Sequence, residues 1–190
     1  MADEISLDMD DLREVAAYAA ANAADVLEIF ERAHPVDFRP RDAVEAARTF
    51  AKGGKRVKTL RDAAWAALKA ANESKGAAAS QAARAAMSAS SAAYLHPLAR
   101  STQVRHILGA AAHAARALEL ETAANPGVGV DYIEHAARRA TPRFVRVLGR
   151  YPTAPLGGGR VGELLRAIDW MIREANGLAT HFAVISRESR

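Results

Sequence analysis

His-Pro-Val-Asp-Phe-Arg-Pro-Arg-Asp-Ala-Val-Glu-Ala-Ala-Arg-Thr-Phe-Ala-Lys-Gly-Gly, residues 34–54, sets the pattern that the rest of the chain follows. Pro35 disfavours a helical His34, so a helix arriving from the N-terminal side has to stop near Ala33. Pro40 suits the first turn of a new helix, whose inner stripe is Val44, Ala47 and Ala51. Gly53 or Gly54 can adopt the left-handed conformation that closes it. The segment therefore reads as helix, corner, helix. Its charges have a structural use: Asp37 can pair with Arg39 or Arg41, and Glu45 can reach Arg48 or Arg41 along the helix.

The same grammar extends in both directions. Asp8, Asp10 and Asp11 stand where acids cap free N–H groups, ahead of a helix carrying Leu12, Val15, Ala19, Ala23, Val26, Leu27 and Phe30 to Ala33. Beyond the Gly-Gly, a helix carries Val57, Leu60, Ala64, Ala67, Leu68 and Ala71. Residues 77–95 form a helix of small residues, broken at His96-Pro97. Ser101 is the expected N-cap of the next, with Val104, Ile107, Leu108, Ala111, Ala115 and Leu118 inward. Asn125-Pro126-Gly127 ends that run, and Asp131 opens another helix through Tyr132, Ile133, Ala136 and Ala137. Thr141-Pro142 either kinks it or starts a short separate helix. After a loop from Tyr151 to Gly159, a last amphipathic helix carries Val161, Leu164, Leu165, Ile168, Met171 and Ile172, and Asn176-Gly177 is its expected cap. The expectation is an all-α, single-domain bundle of seven or eight mostly antiparallel helices spanning residues 1–177. The tail, residues 178–190, is expected to pack back or to stay partly disordered.

Alanine makes up about a quarter of the chain. It is the strongest helix former and lets helix axes approach closely. With no cysteine, disulfides and thiolate metal sites are excluded. The acidic N-terminal end has no apolar stretch behind it, so a secretory signal is not expected. The best candidate for a membrane span, Ile107 to Leu120, is short and contains His113, Arg116 and Glu119. A cytoplasmic protein that does not engage a membrane is expected.

Charge is polarised along the chain. Up to residue 33 there are nine acids and two bases, a net of −7; from 34 to 75 there are five acids and ten bases, a net of +5. The simplest expectation is that the two blocks lie side by side and partly neutralise each other.

Catalytic signatures are weak. The histidines show no His-Glu-x-x-His, and the i,i+4 pair Asp131 and His135 stands beside an expected helix start, where an acid belongs anyway. Ser88, Ser90 and Ser91 lie in a helix with no nucleophile elbow around them. Gly157-Gly158-Gly159-Arg160 leads into a helix but has no strand before it, and reads as a connector. Neither a cofactor nor a metal is expected. Two basic clusters, Lys52, Lys55, Arg56, Lys58 and Arg61, then Arg138, Arg139, Arg143, Arg146 and Arg150, make nucleic-acid binding the main alternative. An enzyme with a pocket between helices is the third reading.

Specific runs point elsewhere. They are Leu12-Arg13-Glu14-Val15, Leu27-x-x-Phe30-Glu31, His34-Pro35-x-Asp37-x-Arg39-Pro40-Arg41 and Ala43-Val44-Glu45-Ala46-Ala47-Arg48. Weaker echoes are Ala82-Ala83-Arg84-Ala85-Ala86 and His106-Ile107-Leu108-Gly109-Ala110-Ala111. Over about residues 10–118 the chain resembles the all-helical immunity proteins of bacterial polymorphic toxin systems, the group related to the fifth immunity-protein class. That resemblance implies a non-catalytic protein that binds and neutralises a cognate protein toxin. The acidic face of the first helix, Asp11, Glu14, Asp25, Glu28 and Glu31, is the expected partner-binding surface if the toxin is basic. Asp37, Arg39, Arg41, Glu45 and Arg48 are the expected structural corner.

Overall fold

The computed structural model describes residues 4–188, with side chains for residues 4–177. Nine α-helices lie among the described residues: α1 (Met9–Ala24), α2 (Leu27–Ala33), α3 (Arg39–Ala51), α4 (Lys58–Glu73), α5 (Ala77–Ser91), α6 (Val104–Glu121), α7 (Pro126–Arg138), α8 (Pro142–Gly149) and α9 (Gly159–Glu188). Short 3-10 turns, Ala92–Tyr94 and Ser101–Gln103, flank the α5–α6 connection. A single antiparallel bridge joins Glu4 to Leu98, and the Ile5 N–H donates to the Pro97 carbonyl at 2.8 Å. The fold is all-α and a single domain.

Helix α5 sits at the centre because all its side chains but Gln81, Arg84 and Met87 are Ala or Ser. Ala79, Ala82, Ala83, Ala85, Ala86 and Ala89 are all buried, and the helix packs against α1, α2, α3, α4 and α6. Ser90 is buried too, and its hydroxyl donates to the Ala43 carbonyl at 2.7 Å, which ties α5 to α3. The larger side chains fill the space between the outer helices: Phe30, Phe50, Ile107, Leu108, Ile133, Phe144 and Ile168 are fully buried. Helix α9 packs on α6, α7 and α8, while α8 packs on α1. The C-terminal helices thus close over α1 and α6.

The expected boundaries are corrected in four places. The first helix is two helices, separated at Asp25 and Val26. No proline or glycine breaks it. Asp25 is instead held by Tyr132 and Arg139 of the α7 region, at 2.9 Å each, and Val26 is fully buried at the bend. Ser101 starts a 3-10 turn, and α6 begins at Val104. Helix α7 begins at Pro126 instead of Asp131. Asn125 caps it by accepting the Gly127 N–H at 3.0 Å, after Ala123 and Ala124 reverse the chain at φ of 55° and 60°. Helix α9 runs through Asn176-Gly177 to Glu188. The packing of the tail, residues 178–190, lies outside the described side chains. Two ends stand where the sequence puts them: Gly53 takes φ of 105° after α3, and Thr141 caps α8 by accepting the Phe144 N–H.

Candidate functional site

The expected acidic surface is largely used up inside the chain. Asp8 and Asp11 form a capping box at the start of α1, and Asp11 is 3% exposed. Its carboxylate accepts from Arg143 Nε at 2.9 Å and Arg150 Nη1 at 2.6 Å. Burial pushes the carboxyl up, but the hydrogen bonds from Arg150 and Arg143 outweigh it and hold its pKa below the ordinary value. Asp11 is therefore closed to a partner. Glu14 accepts from the Thr141 hydroxyl, Asp25 from Tyr132 and Arg139, and Glu31 from both arms of Arg41 at 2.7 Å. Glu28 is the exception: its side chain is 81% exposed and its nearest cation, Arg32, is 3.9 Å away.

The corner at residues 34–48 is built from side chains of three helices. Arg39 donates to Asp37 through Nε at 2.9 Å and Nη2 at 2.6 Å, and Nη2 also reaches Glu73 of α4 at 2.7 Å. The Arg39 hydrogen bonds hold the Asp37 carboxyl below its ordinary pKa. Arg41 turns to Glu31, and Glu45 accepts from Arg48 at 2.6 Å. His34 lies over the Phe30 ring, with 4.7 Å between centroids, and its Nε2 is 2.9 Å from Ser74 Oγ. Among the described residues no carboxylate bonds that imidazole, and the Ser74 hydroxyl donates to the Gly76 carbonyl. The pair links the corner to the end of α4 and lacks the third member that activates a serine.

Two buried carboxylates were not singled out from the sequence. Glu119 on α6 is fully buried; it accepts from Arg160 of α9 at 2.6 Å and Arg116 at 2.8 Å. Burial would raise its pKa, but Arg160 and Arg116 hold it below the usual carboxylate value. Gly129 of α7 lies against it so closely that a Cβ there would sit 2.2 Å from Glu119 Oε1. Asp169, 2% exposed, accepts the Ala154 N–H and Arg173 Nε. Arg173 in turn reaches the carbonyls of Leu148, Tyr151 and Pro152. The one available signal was a lone acid on an otherwise apolar helix stripe.

The two basic clusters meet different fates. In the second, Arg138, Arg139, Arg143 and Arg150 all pair with carboxylates, and Arg146 makes no ion pair among the described residues. In the first, Lys58 pairs with Asp62, but Lys52, Lys55, Arg56 and Arg61 have no carboxylate within ion-pair distance among the described residues. Arg61 instead lies 4.6 Å above the Tyr94 ring centroid, and Arg56 donates to the Ala93 carbonyl. Arg56, Lys58, Arg61 and Tyr94 border a cleft of about 570 Å3. The two blocks lie side by side, with α1 packed on α3, but among the described residues one ion pair, Arg41 with Glu31, joins them, so their mutual neutralisation is slight.

A larger groove, about 800 Å3, runs between α5, α6 and the start of α9. Its charged walls are Arg84 and Arg105, and its imidazoles are His106 and His113. Burial pushes His113 down to about 4, with the nearby Arg84 charge acting in the same direction. Burial also lowers His106, helped by His96, so both are neutral at pH 7. His113 Nδ1 lies 2.7 Å from Gln81 Oε1. The third wall is the backbone of Gly157 and Gly158, both at positive φ. Among the described residues there is no group of three or more His, Asp or Glu placed to hold a metal ion, and no helix is long and apolar enough to cross a membrane.

A family model described as Imm-5 like putative immunity protein matches residues 6–140, well over half of the chain. No curated protein and no solved structure gives a match. The matched segment ends before Arg143, Arg150 and Arg160, which neutralise Asp11 and Glu119 from outside it.

Proposed function

Because the chain belongs to the Imm-5 like putative immunity protein family, we propose that it binds and neutralises a cognate bacterial toxin in the cytoplasm, without catalysis of its own. The observation that carries this reading is the family match itself, which covers α1 to α7. The architecture supports it. Neutralising a toxin by occupation needs a scaffold that keeps its shape and a surface whose charges remain available to a partner. Buried carboxylates clamped by arginines from distant helices supply the first. On this reading the acidic face contributes through Glu28, since Asp11 is buried and Glu14, Asp25 and Glu31 already have partners in the chain.

The test is co-expression with the toxin domain encoded beside this protein. Cells carrying both should grow, and the two proteins should co-purify as a stable complex. Growth arrest in the presence of the full chain, with no complex, overturns the reading. The nucleic-acid alternative keeps one observation, Arg56 and Arg61 over the Tyr94 ring with no carboxylate partner among the described residues. It requires duplex binding that weakens steeply as salt rises.

A further inference from the structure

We propose that the groove between α5, α6 and the first turn of α9 takes a carboxylate-bearing peptide segment of the protein partner. This rests on the reading of the chain as a protein-binding module.

Three observations converge on it. First, the fixed charges lining the groove are Arg84 and Arg105, and no carboxylate lines it. Arg84 donates to the neutral Asn72 side chain, and Arg105 makes no ion pair among the described residues. In a chain that spends most of its arginines on its own acids, two left facing one groove give it a positive field with nothing inside to cancel it. Second, the remaining polar lining is neutral and able to hydrogen-bond, with His106 and His113 uncharged at pH 7 beside Gln81 and Ser91. Peptide groups are recognised by such neutral donors and acceptors, with charge reserved for side chains.

Third, the Gly157–Gly158 wall is built and anchored. Arg166 donates to the carbonyls of Pro155 and Gly157, at 3.2 and 2.8 Å. Gly162 lets the loop lie flush on α9, because a Cβ there would fall 1.9 Å from the Gly157 carbonyl oxygen. A pinned wall keeps the groove open without a partner, which lowers the cost of binding.

The lining argues against nucleic acid. No Phe, Tyr or Trp ring borders the groove, and single strands are held by stacking platforms together with a longer run of cations. Met87, Val161 and Leu165 supply apolar contact for the stem of an acidic side chain.

The test uses the full chain and follows the imidazole resonances of His106 and His113 by NMR. Hexaglutamate is the probe; hexalysine, inorganic phosphate and a short DNA duplex are the comparisons. Hexaglutamate should move both resonances, and Arg84→Glu/Arg105→Glu should weaken its binding at least about tenfold. Arg84→Gln/Arg105→Gln, which keeps much of the side-chain bulk, should also weaken it, separating loss of charge from any folding defect of the reversal. The proposal is overturned if hexaglutamate leaves both resonances in place, if the glutamine variant binds as the wild type does, or if phosphate or DNA moves the resonances at lower concentration. A co-encoded toxin that binds wild type and both variants equally overturns the assignment of this groove to the partner. A toxin that fails to bind even the wild type overturns the proposed function, whereas the peptide result alone decides the chemistry of the groove.

Discussion

The acid-rich helices α1 and α2 and the basic stretch after Gly53-Gly54 are mirror images in sequence, yet the structure treats them oppositely. Asp8, Asp11, Asp25 and Glu31 are each met by an arginine. Lys52, Lys55, Arg56 and Arg61 meet a backbone carbonyl, a ring or solvent. The difference lies in what packs over each region. Helix α8 covers the start of α1 and brings Arg143 and Arg150 with it. The outer face of α4 has no such cover, and Trp65 there is 65% exposed. A charge buried by a neighbouring helix has to be compensated by that neighbour. A charge left in water does not, and stays available for a partner.

The largest test of this contrast is Glu119→Ala. It strips the fully buried carboxylate from Arg116 and Arg160 and should cost about 3–5 kcal/mol in denaturant unfolding. A loss below about 1 kcal/mol would mean that the buried clamps do not hold α6, α7 and α9 together.

Asp11→Ala comes next. It removes half of the capping box and the shared partner of Arg143 and Arg150, and should cost about 2 kcal/mol. Acid sharpens the same point. The folded pKa values of Asp11 and Glu119 lie below those of an ordinary aspartate and glutamate. Their stabilisation is therefore complete above those values and is lost as pH falls through the lower folded ones. Melting temperatures taken downward from pH 5 should fall less steeply in Asp11→Ala than in the wild type. Parallel curves would remove Asp11 from the acid response.

Asp37→Ala should cost about 1 kcal/mol, because the Arg39 bridge to Asp37 and Glu73 is only partly shielded from water. A change under about 0.5 kcal/mol would reduce the corner to a solvated loop. The smallest effect belongs to the basic side. Lys52→Gln with Lys55→Gln should leave the melting temperature unmoved, since neither side chain has a partner among the described residues. A clear loss of stability there would erase the contrast.

Much of the fold was legible from local signals. Proline and glycine marked the α2–α3 corner and the left-handed end of α3, and Thr141-Pro142 marked the start of α8. What was not legible depended on groups far away in the chain. The break between α1 and α2 has no breaker residue; it follows from Asp25 being held by Tyr132 and Arg139, more than 100 positions later. Asp11 looked like an exposed acid because the arginines that bury it are 132 and 139 residues on. Gly157-Gly158-Gly159 reads as a connector, and its first two residues instead form an anchored wall.

By itself the sequence determined that the chain is helical, alanine-packed and a member of the Imm-5 like putative immunity protein family. Each of these rests on short-range information: backbone propensity, periodicity, and motifs a few residues long. Only the tertiary structure decided which charges are spent and which remain. An aspartate before a helix reads the same whether water or two arginines surround it, and that depends on the helix packed above it. The acidic face is mostly paired within the chain, while Arg84 and Arg105 line one groove and Arg56 and Arg61 another with no carboxylate partner among the described residues.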